Sequence, residues 1–534
     1  MGKSDDFIRE YIESGKAVLG IEFGSTRIKA VLIDEDNQPI AIGTHDWENK
    51  LEDGVWTYSM DDAVSGLRAC YSSLKEEVLS RYGIVIKKLA CIGISGMMHG
   101  YLPLDKDGKQ LAEFRTWRNT ITEQAAAELT ALLDFNIPQR WSVAHLYQAI
   151  LNNEDHVKDV AYLTTLAGYI HYRLTGVKAV GIGEASGIFP IDPDENGYDK
   201  GMILKMDELL KQKGMPYCMM DILPEVLTAG KTAGMLSEEG AALLDESGDL
   251  EAGAVMCPPE GDAQTGMVAT NSISVRTGNV SAGTSIFAMV VLEKKLSKVY
   301  KELDIVTTPT GNLVAMVHCN NCTSDINAWI GLFREFAEEI GISVDNGKLF
   351  ETMYSVALKG SPDCSGLMSY NYYSGETITN VDEGRLVFIR KPDASFGLGD
   401  FMRTNIYSSL ATLKIGMDLL LNEEKVKVEM LQGHGGFFKT EGVGDKLLAA
   451  ALRTPVKIIE TAGEGGAWGM AVLASYCINS KADESLDDFL NSRVFAGYKG
   501  TVCPVDEETA KGFDSFMENY KNCFGVEKAA IESF

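Results

Sequence analysis

The strongest constraint on this chain is a pattern that occurs twice. Near the N-terminus "IEFGSTRIKAVLIDED" reads as strand, glycine, two hydroxyl residues, strand, and near mid-chain "NVSAGTSIFAMVVLEK" repeats it. Gly24-Ser25-Thr26 corresponds to Gly283-Thr284-Ser285. Apolar, β-branched runs on both sides of a small-residue turn predict β-hairpins. The copies lie a whole domain apart, far beyond solenoid periods. They predict two domains of similar plan, each presenting a hydroxyl-and-glycine turn. Either turn alone is ordinary hairpin chemistry; two equivalent turns at the heads of two domains are hard to obtain casually. Such a turn gathers backbone N–H and side-chain O–H groups into one concavity, a cradle for phosphate. Glycine lets the backbone approach closely, and Lys29, three residues after Thr26, adds a cation within reach. If the two turns face one another, they grip one ligand from two sides.

The length agrees. Single cores stop growing at about 250–300 residues, so 534 residues require at least two domains. With 45% hydrophobic and 23% charged residues the chain is globular rather than disordered. A formal net charge of -27 repels phosphate backbones and argues against generic nucleic-acid binding. It leaves room for a small anion, because local donors and a metal ion outweigh a global field. No run approaches the roughly 20 apolar residues of a membrane span. The acidic N-terminus is no signal peptide, and Asp6 stands where myristoylation wants Ser or Thr. Ten scattered cysteines predict reduced thiols in a cytoplasm. Cys319 and Cys322 form one C-x-x-C beside His318, but a zinc site wants a second pair, so they read as ordinary cysteines at a strand end or loop.

The patterning predicts a short helix over 6–14, strands at 18–23, 28–33 and 40–43 in an antiparallel meander, and a helix over 60–81 with Ala63, Leu67, Cys70, Leu74 and Val78 on one face. A buried strand follows at 89–94, then a Ser95-Gly96 turn, then another strand with Met97, Met98 and His99 near its start. Helices are expected around 122–133, 143–152, 443–452 and 506–520, and "AGEGGAWGMAVLASY" reads as a glycine-rich turn entering a small-residue helix. Strands mixed with helices make an α/β chain.

The stretch "PPEGDAQTGM" reads as strand, sharp turn and helix start, with Asp262 at the N-cap. A carboxylate fixed at a helix start is either a plain cap or a preorganised base, and the two roles are compatible. Glu22, between Ile21 and Phe23, is an unpaired acid in an apolar strand; it either faces solvent or has a role. His99 is a satisfied structural histidine or a partner for hydroxyls, since neutral imidazole both donates and accepts. Gly433, Gly435 and Gly436 serve turn geometry or leave bare backbone for a flat ring.

Taken in order, these segments resemble the FGGY carbohydrate kinases of the ribonuclease-H/actin-like ATPase superfamily. "IEFGSTRIKA" resembles the first phosphate motif, "GISGMMHG" a sugar-site motif, "EGDAQTGM" the catalytic motif and "SAGTS" the second phosphate motif. "GHGGFFKT", "LLAAALRTPV" and "EGGAWGMAVLA" resemble the adenosine region. The resemblance implies two ribonuclease-H-like domains with an interdomain active-site cleft. Residues 1–266 would hold the sugar site, the first phosphate loop and the catalytic acid, and 267–534 the second phosphate loop and the adenosine site. It implies an ATP-dependent kinase in which Asp262 accepts the proton of a ketose hydroxyl. The favoured ketose is a pentulose, D-xylulose first, with ribulose, fuculose and erythritol as alternatives. Met98, His99, Trp117 and Arg118 would join Asp262 at the sugar. Gly24, Ser25, Thr26, Lys29, Gly283, Thr284, Ser285, Gly433, Gly435, Gly436 and Phe437 would lie along ATP. Glu22 and Asp262 would serve Mg²⁺, with Glu22 standing where the family typically has Asp. Met97 replaces the Gln of the xylulose-kinase form, and Arg118-Asn119 replace the usual Asn-Asp. A homodimer in the cytoplasm, without membrane or nucleic acid, is the expected setting. A chaperone or filament protein on the same core would need no acid beside a sugar pocket; a catalytically weak sugar-binding regulator is the other rival.

Overall fold

The computed structural model describes residues 3–459, 465–498 and 500–533. They form two compact units. The first comprises residues 1–273, 305–314 and 461–498, and the second 274–304, 315–460 and 499–534.

In the first unit, helix α1 (Asp5–Glu13) is capped by Ser4 and stops before Gly15, whose φ of +70° favours glycine. Strands β1 (Val18–Phe23), β2 (Arg27–Ile33) and β3 (Pro39–Asp46) make the expected meander, with Val18 opposite Ile33 and Phe23 opposite Ile28. A small hairpin, β4 (Lys50–Glu52) and β5 (Val55–Thr57), leads into helix α2 (Met60–Tyr82). Ser59 Oγ accepts from the amides of Asp61 and Asp62, a cap worth about 1 kcal/mol. Gly83, at φ +70°, ends the helix. Ala63, Leu67, Cys70, Leu74 and Val78 are all fully buried on its inner face, and each leucine contributes about 2 kcal/mol by leaving water.

Strand β6 (Cys91–Gly96) lies parallel to β1. It runs through Ser95 and Gly96, which were expected to turn: Ser95 pairs with Glu22 on one side and Glu260 on the other. The strand expected to have Met97, Met98 and His99 near its start begins only after them, and these three residues lie in a loop. His99 and Gly100 both have positive φ, +73° and +92°, which no strand admits; the next strand, β7, is Leu102–Leu104. Helices α3 (Glu123–Leu133) and α4 (Ser142–Leu151) fall where the pattern put them. The sheet order is Val255–Met256, β6, β1, β2, β3.

The second unit repeats the plan. Thr277–Ala282 and Ile286–Val291 form the second hairpin, antiparallel, with Leu313–Cys319 beyond. On the other side Met430–His434 lies parallel to Thr277–Ala282, and Val456–Ile459 parallel to Met430–His434. The first sheet orders the five strands of its main path 3-2-1-4-5 in chain order and the second runs 3-4-2-1-5-6-7; what they share is a hairpin whose first strand pairs in parallel with a later strand. Helices Gly444–Leu452, Gly465–Asn479 and Glu507–Asn522 match the remaining expectations. Of the glycine-rich turn expected before Gly465, residues 461–464 lie outside the described residues.

In the first unit, the Gly465–Asn479 helix lies directly on β1. A methyl at Gly20 would sit 2.3 Å from Ala467 O and from Ala471 N. Only glycine at Gly20 lets these backbones touch, and that contact brings the helix start to the end of β1 beside Glu22.

Candidate active site

The Gly24-Ser25-Thr26 turn edges a concavity of about 280 Å³, lined also by Glu22, Lys29 and Gly465. The turn is closed by Gly24 N donating to Arg27 O at 3.0 Å. Lys29 stands opposite Glu22 across the β1–β2 ladder, so the two side chains share a face.

Glu22 Oε2 accepts from the Ala467 amide at 3.1 Å. Burial, with the nearby charge of Asp262, pushes this carboxyl up to about 7, against the lowering pull of the Ala467 amide and Lys29. It does not face solvent from an edge strand, because β1 is central.

Asp262 lies one residue inside the Asp262–Ala269 helix, and Gly261 occupies the cap position. This corrects the expected N-cap: the extended backbone ends at Gly261, the last residue paired with β6, and the helix begins one residue earlier than the pattern predicts. Asp262 Oδ1 accepts from Met98 N at 3.1 Å and Ala263 N at 2.9 Å. Burial pushes its carboxyl up, partly offset by these amides. The acid is thus tied to the "SGMMHG" loop through Met98, while Met97 N donates to Phe23 O at 3.0 Å and anchors the same loop to β1. Glu22, Asp262, Met98 and the Gly24-Ser25-Thr26 turn come together in one unit.

His99 is 4% exposed, and its ring stacks on Trp141 at 6.3 Å. Gly187 makes room for it; a methyl there would meet His99 Nδ1 at 2.5 Å. Trp117 is exposed. The Arg118 guanidinium is already engaged: it stacks on Trp56 at 4.0 Å and donates to Asn49 Oδ1 at 3.1 Å. Asn119 clasps the same tryptophan, accepting from Trp56 N and donating to Trp56 O, both at 2.8 Å.

Two acids behind Asp262 are not singled out by the sequence, although Glu260 opens the "EGDAQTGM" segment. Glu260 accepts from the Glu184 amide at 2.8 Å, and burial pushes its carboxyl up to about 8. Glu184 is fully buried and pushed well up for the same reason. Gln264, also buried, donates to Thr307 O at 3.1 Å. Only strand pairing in space assembles this layer.

In the second unit, Gly283 N donates to Ser285 O at 2.9 Å, and Cys322 N and Thr323 N donate to Thr284 O and Gly283 O. Gly435, at φ +103°, lies against Ala282; a methyl there would sit 2.4 Å from Ala282 O. The hydroxyl turn and the glycine turn are therefore adjacent. Gly436 has open space beside it, whereas Phe437 is fully buried, edge-on to Tyr354 at 6.1 Å. Cys319 ends a strand and Cys322 lies in the following turn; burial pushes Cys322 up to about 12.

Among the described residues, no three His, Cys, Asp or Glu side chains gather to hold a metal. Two converging carboxylates, Glu22 and Asp262, do suit a hard cation such as Mg²⁺, which keeps waters and phosphate oxygens for its other ligands.

The fold is the two-domain α/β fold of the actin-like ATPases. Over 96% of this chain and 98% of the other it superposes on the ligand-bound xylulose kinase from Lactobacillus acidophilus, with a TM-score of 0.77 at 16% identity. The models of the FGGY family of carbohydrate kinases match at residues 17–248 for the N-terminal domain and 278–478 for the C-terminal domain. The chain belongs to the FGGY family of carbohydrate kinases, and it is a phosphotransferase with an alcohol group as acceptor. A xylulose kinase of Haemophilus influenzae is 22% identical over 396 residues, 70% of this chain and 74% of that one. A xylulose kinase of Staphylococcus xylosus is 20% identical over 532 residues, 95% and 99% of the two chains.

Proposed function

We propose that this protein transfers the γ-phosphoryl group of ATP to a hydroxyl of a ketose, a pentulose with D-xylulose first. The observation that carries the reading is the placement of Asp262: its Oδ1 is fixed by two amides, one from Met98 of the sugar-site loop, and its charge reaches Glu22 beside the phosphate turn. The attacking hydroxyl passes its proton to Asp262 as its oxygen bonds to the γ-phosphorus, and the bond to the β–γ bridging oxygen breaks to release ADP. In a loose phosphoryl-transfer transition state the protein mainly positions groups and stabilises charge. The raised carboxyl makes Asp262 a better base than an ordinary aspartate. Glu22 and Asp262 would hold Mg²⁺ beside ATP, where the ion would neutralise the phosphate oxygens. The turn amides of Ser25 and Thr26 and the Lys29 ammonium bind and orient the phosphates. His99, Met98 and Trp117 are assigned to the sugar. Gly283, Thr284, Ser285, Gly433, Gly435 and Gly436 are assigned to the nucleotide, with Phe437 as packing beneath the glycine turn. The reading places the domain boundary near 266/267 and, from ten unbridged cysteines, the protein in a cytoplasm.

An ADP-release assay across ketopentoses, ketohexoses and polyols tests this. Sugar-stimulated turnover by wild type, lowered about 10²- to 10⁴-fold in Asp262→Asn with ATP binding retained, is the expected result. Binding of sugar without turnover would favour the regulator, to which the Arg118 side chain, held by Trp56 and Asn49, lends some weight.

A further inference from the structure

The carbonyl side of the first phosphate turn is closed by two aromatic residues with no part in the proposed chemistry. Trp47 Nε1 donates to Gly24 O at 2.7 Å. The Tyr58 hydroxyl donates to Ser25 O at 2.6 Å. The Trp47 backbone amide donates to Thr26 O at 3.1 Å. Three successive carbonyls of the turn are therefore each taken by a donor on the same side. The two rings stack, with centroids 4.2 Å apart and planes 30° apart, and Phe23 packs edge-on to Trp47 at 5.9 Å. Both are buried, Trp47 at 8% and Tyr58 at 2% exposure.

A peptide unit is planar and trans, so its C=O and N–H point in opposite directions. Fixing Gly24 O fixes the Ser25 N–H; fixing Ser25 O fixes the Thr26 N–H; fixing Thr26 O fixes the Arg27 N–H. Donors on the aromatic side thus turn these amides away from the aromatic pair. Released from its pin, the peptide after Gly24 has the greatest freedom to rotate, because glycine imposes no Cβ barrier. A rotated unit presents a carbonyl oxygen where an anion needs a donor. Buried aromatic rings lose little freedom in holding such a hydroxyl or indole in place, and a preorganised donor set is what a phosphate site requires.

We infer that Trp47 and Tyr58 are positioning residues for the nucleotide phosphates: they pin the carbonyls of Gly24, Ser25 and Thr26 so that the turn offers its amides to the anion. The inference rests on the reading of this turn as the ATP phosphate site. Neither side chain touches ligand in this role; each acts through the backbone it holds.

The test uses Tyr58→Phe, which removes one oxygen, and Trp47→Phe, which keeps a ring and removes the indole donor. Calorimetry measures ATP and adenosine binding to the full-length wild type and variants, alongside thermal midpoints. Each variant is expected to bind ATP roughly 3- to 10-fold more weakly, the range for one lost hydrogen bond, with adenosine affinity unchanged, since adenosine has no phosphate to feel the turn. In the kinase assay the KM for ATP rises while the KM for sugar holds. ATP affinity unchanged in both variants overturns the inference, as does a parallel fall for ATP and adenosine, which marks a general structural loss. Should Trp47→Phe not fold, the single-atom change at Tyr58 decides alone. A wild type that binds adenosine but gains nothing from the triphosphate overturns the phosphate-site reading itself, and the inference with it.

Discussion

The backbone amide of Ala467 donates to Glu22 Oε2 at 3.1 Å across a sequence separation of 445 residues. The acid thereby sits at the start of the Gly465–Asn479 helix, where backbone donors and the helix dipole favour negative charge. Gly466 belongs to the same arrangement: a methyl there would fall 2.1 Å from Glu22 Oε1. Aspartate, one methylene shorter, would end short of this amide, which gives a physical reason for glutamate at this position.

Glu22→Gln keeps an acceptor for Ala467 and removes the charge. Its expected effect is a half-saturating Mg²⁺ concentration raised roughly 10- to 100-fold, with the thermal midpoint little changed. A Mg²⁺ titration of kinase activity checks this; an unmoved midpoint would remove Glu22 from the metal's surroundings.

Two glycines predict opposite signs. Gly20→Ala forces a methyl to within 2.3 Å of two backbone atoms, which cannot yield as a side chain would; a loss of about 3 kcal/mol or failure to fold is expected. Gly266, inside the Asp262–Ala269 helix, has nothing within 4 Å of a built methyl, so Gly266→Ala should gain up to about 1 kcal/mol. Denaturant melts of the two variants decide it.

Burial holds His171 down to about 4, although its Nε2 bonds Ala233 O at 2.9 Å. His145 is held down to about 3 and His434 to about 4 by the same cause. An unfolded histidine titrates near 6.5, so below that pH the unfolded chain binds protons that the folded chain refuses. The stability from each neutral imidazole is full above about pH 6.5 and is lost as pH falls toward 4. For His171 this amounts to roughly 3 kcal/mol. Melts from pH 7.5 to 4.5 should fall, and His171→Gln should flatten part of the slope; equal slopes would contradict the assignment.

All ten cysteines are unbridged, and Cys218 alone among them is exposed. A thiol-reactive reagent should titrate ten thiols in denaturant without prior reduction, with Cys218 first in the folded protein. Fewer than ten would reveal a bridge.

Much of the architecture was legible because local pattern and tertiary role agree. The two hairpins, α2 and the helices near 443–452 and 506–520 each bury the face their periodicity marks. The errors fall where distant strands overrule local rules. Ser95 and Gly96 are turn formers by type, yet neighbours on both sides hold them in β6. Asp262 resembles a cap, yet the strand pairing ends at Gly261, which takes the cap position and leaves Asp262 as the first helical residue. The two Gly-hydroxyl turns and Asp262 stand out in the sequence because glycine, hydroxyl and acid cluster in short segments. Trp47, Tyr58 and Glu184 do not, since each meets its partner only after folding and none lies in a segment the sequence marks.

The clasp of Asn119 on Trp56 ends two residues from Tyr58. Whatever shifts the segment around residues 116–119 must pull on a backbone that also carries the hydroxyl bonded to Ser25. On the proposed reading of the two sites, a change near residues 116–119 made for a new carbohydrate would be felt, through one short tether, in the Gly24-Ser25-Thr26 turn.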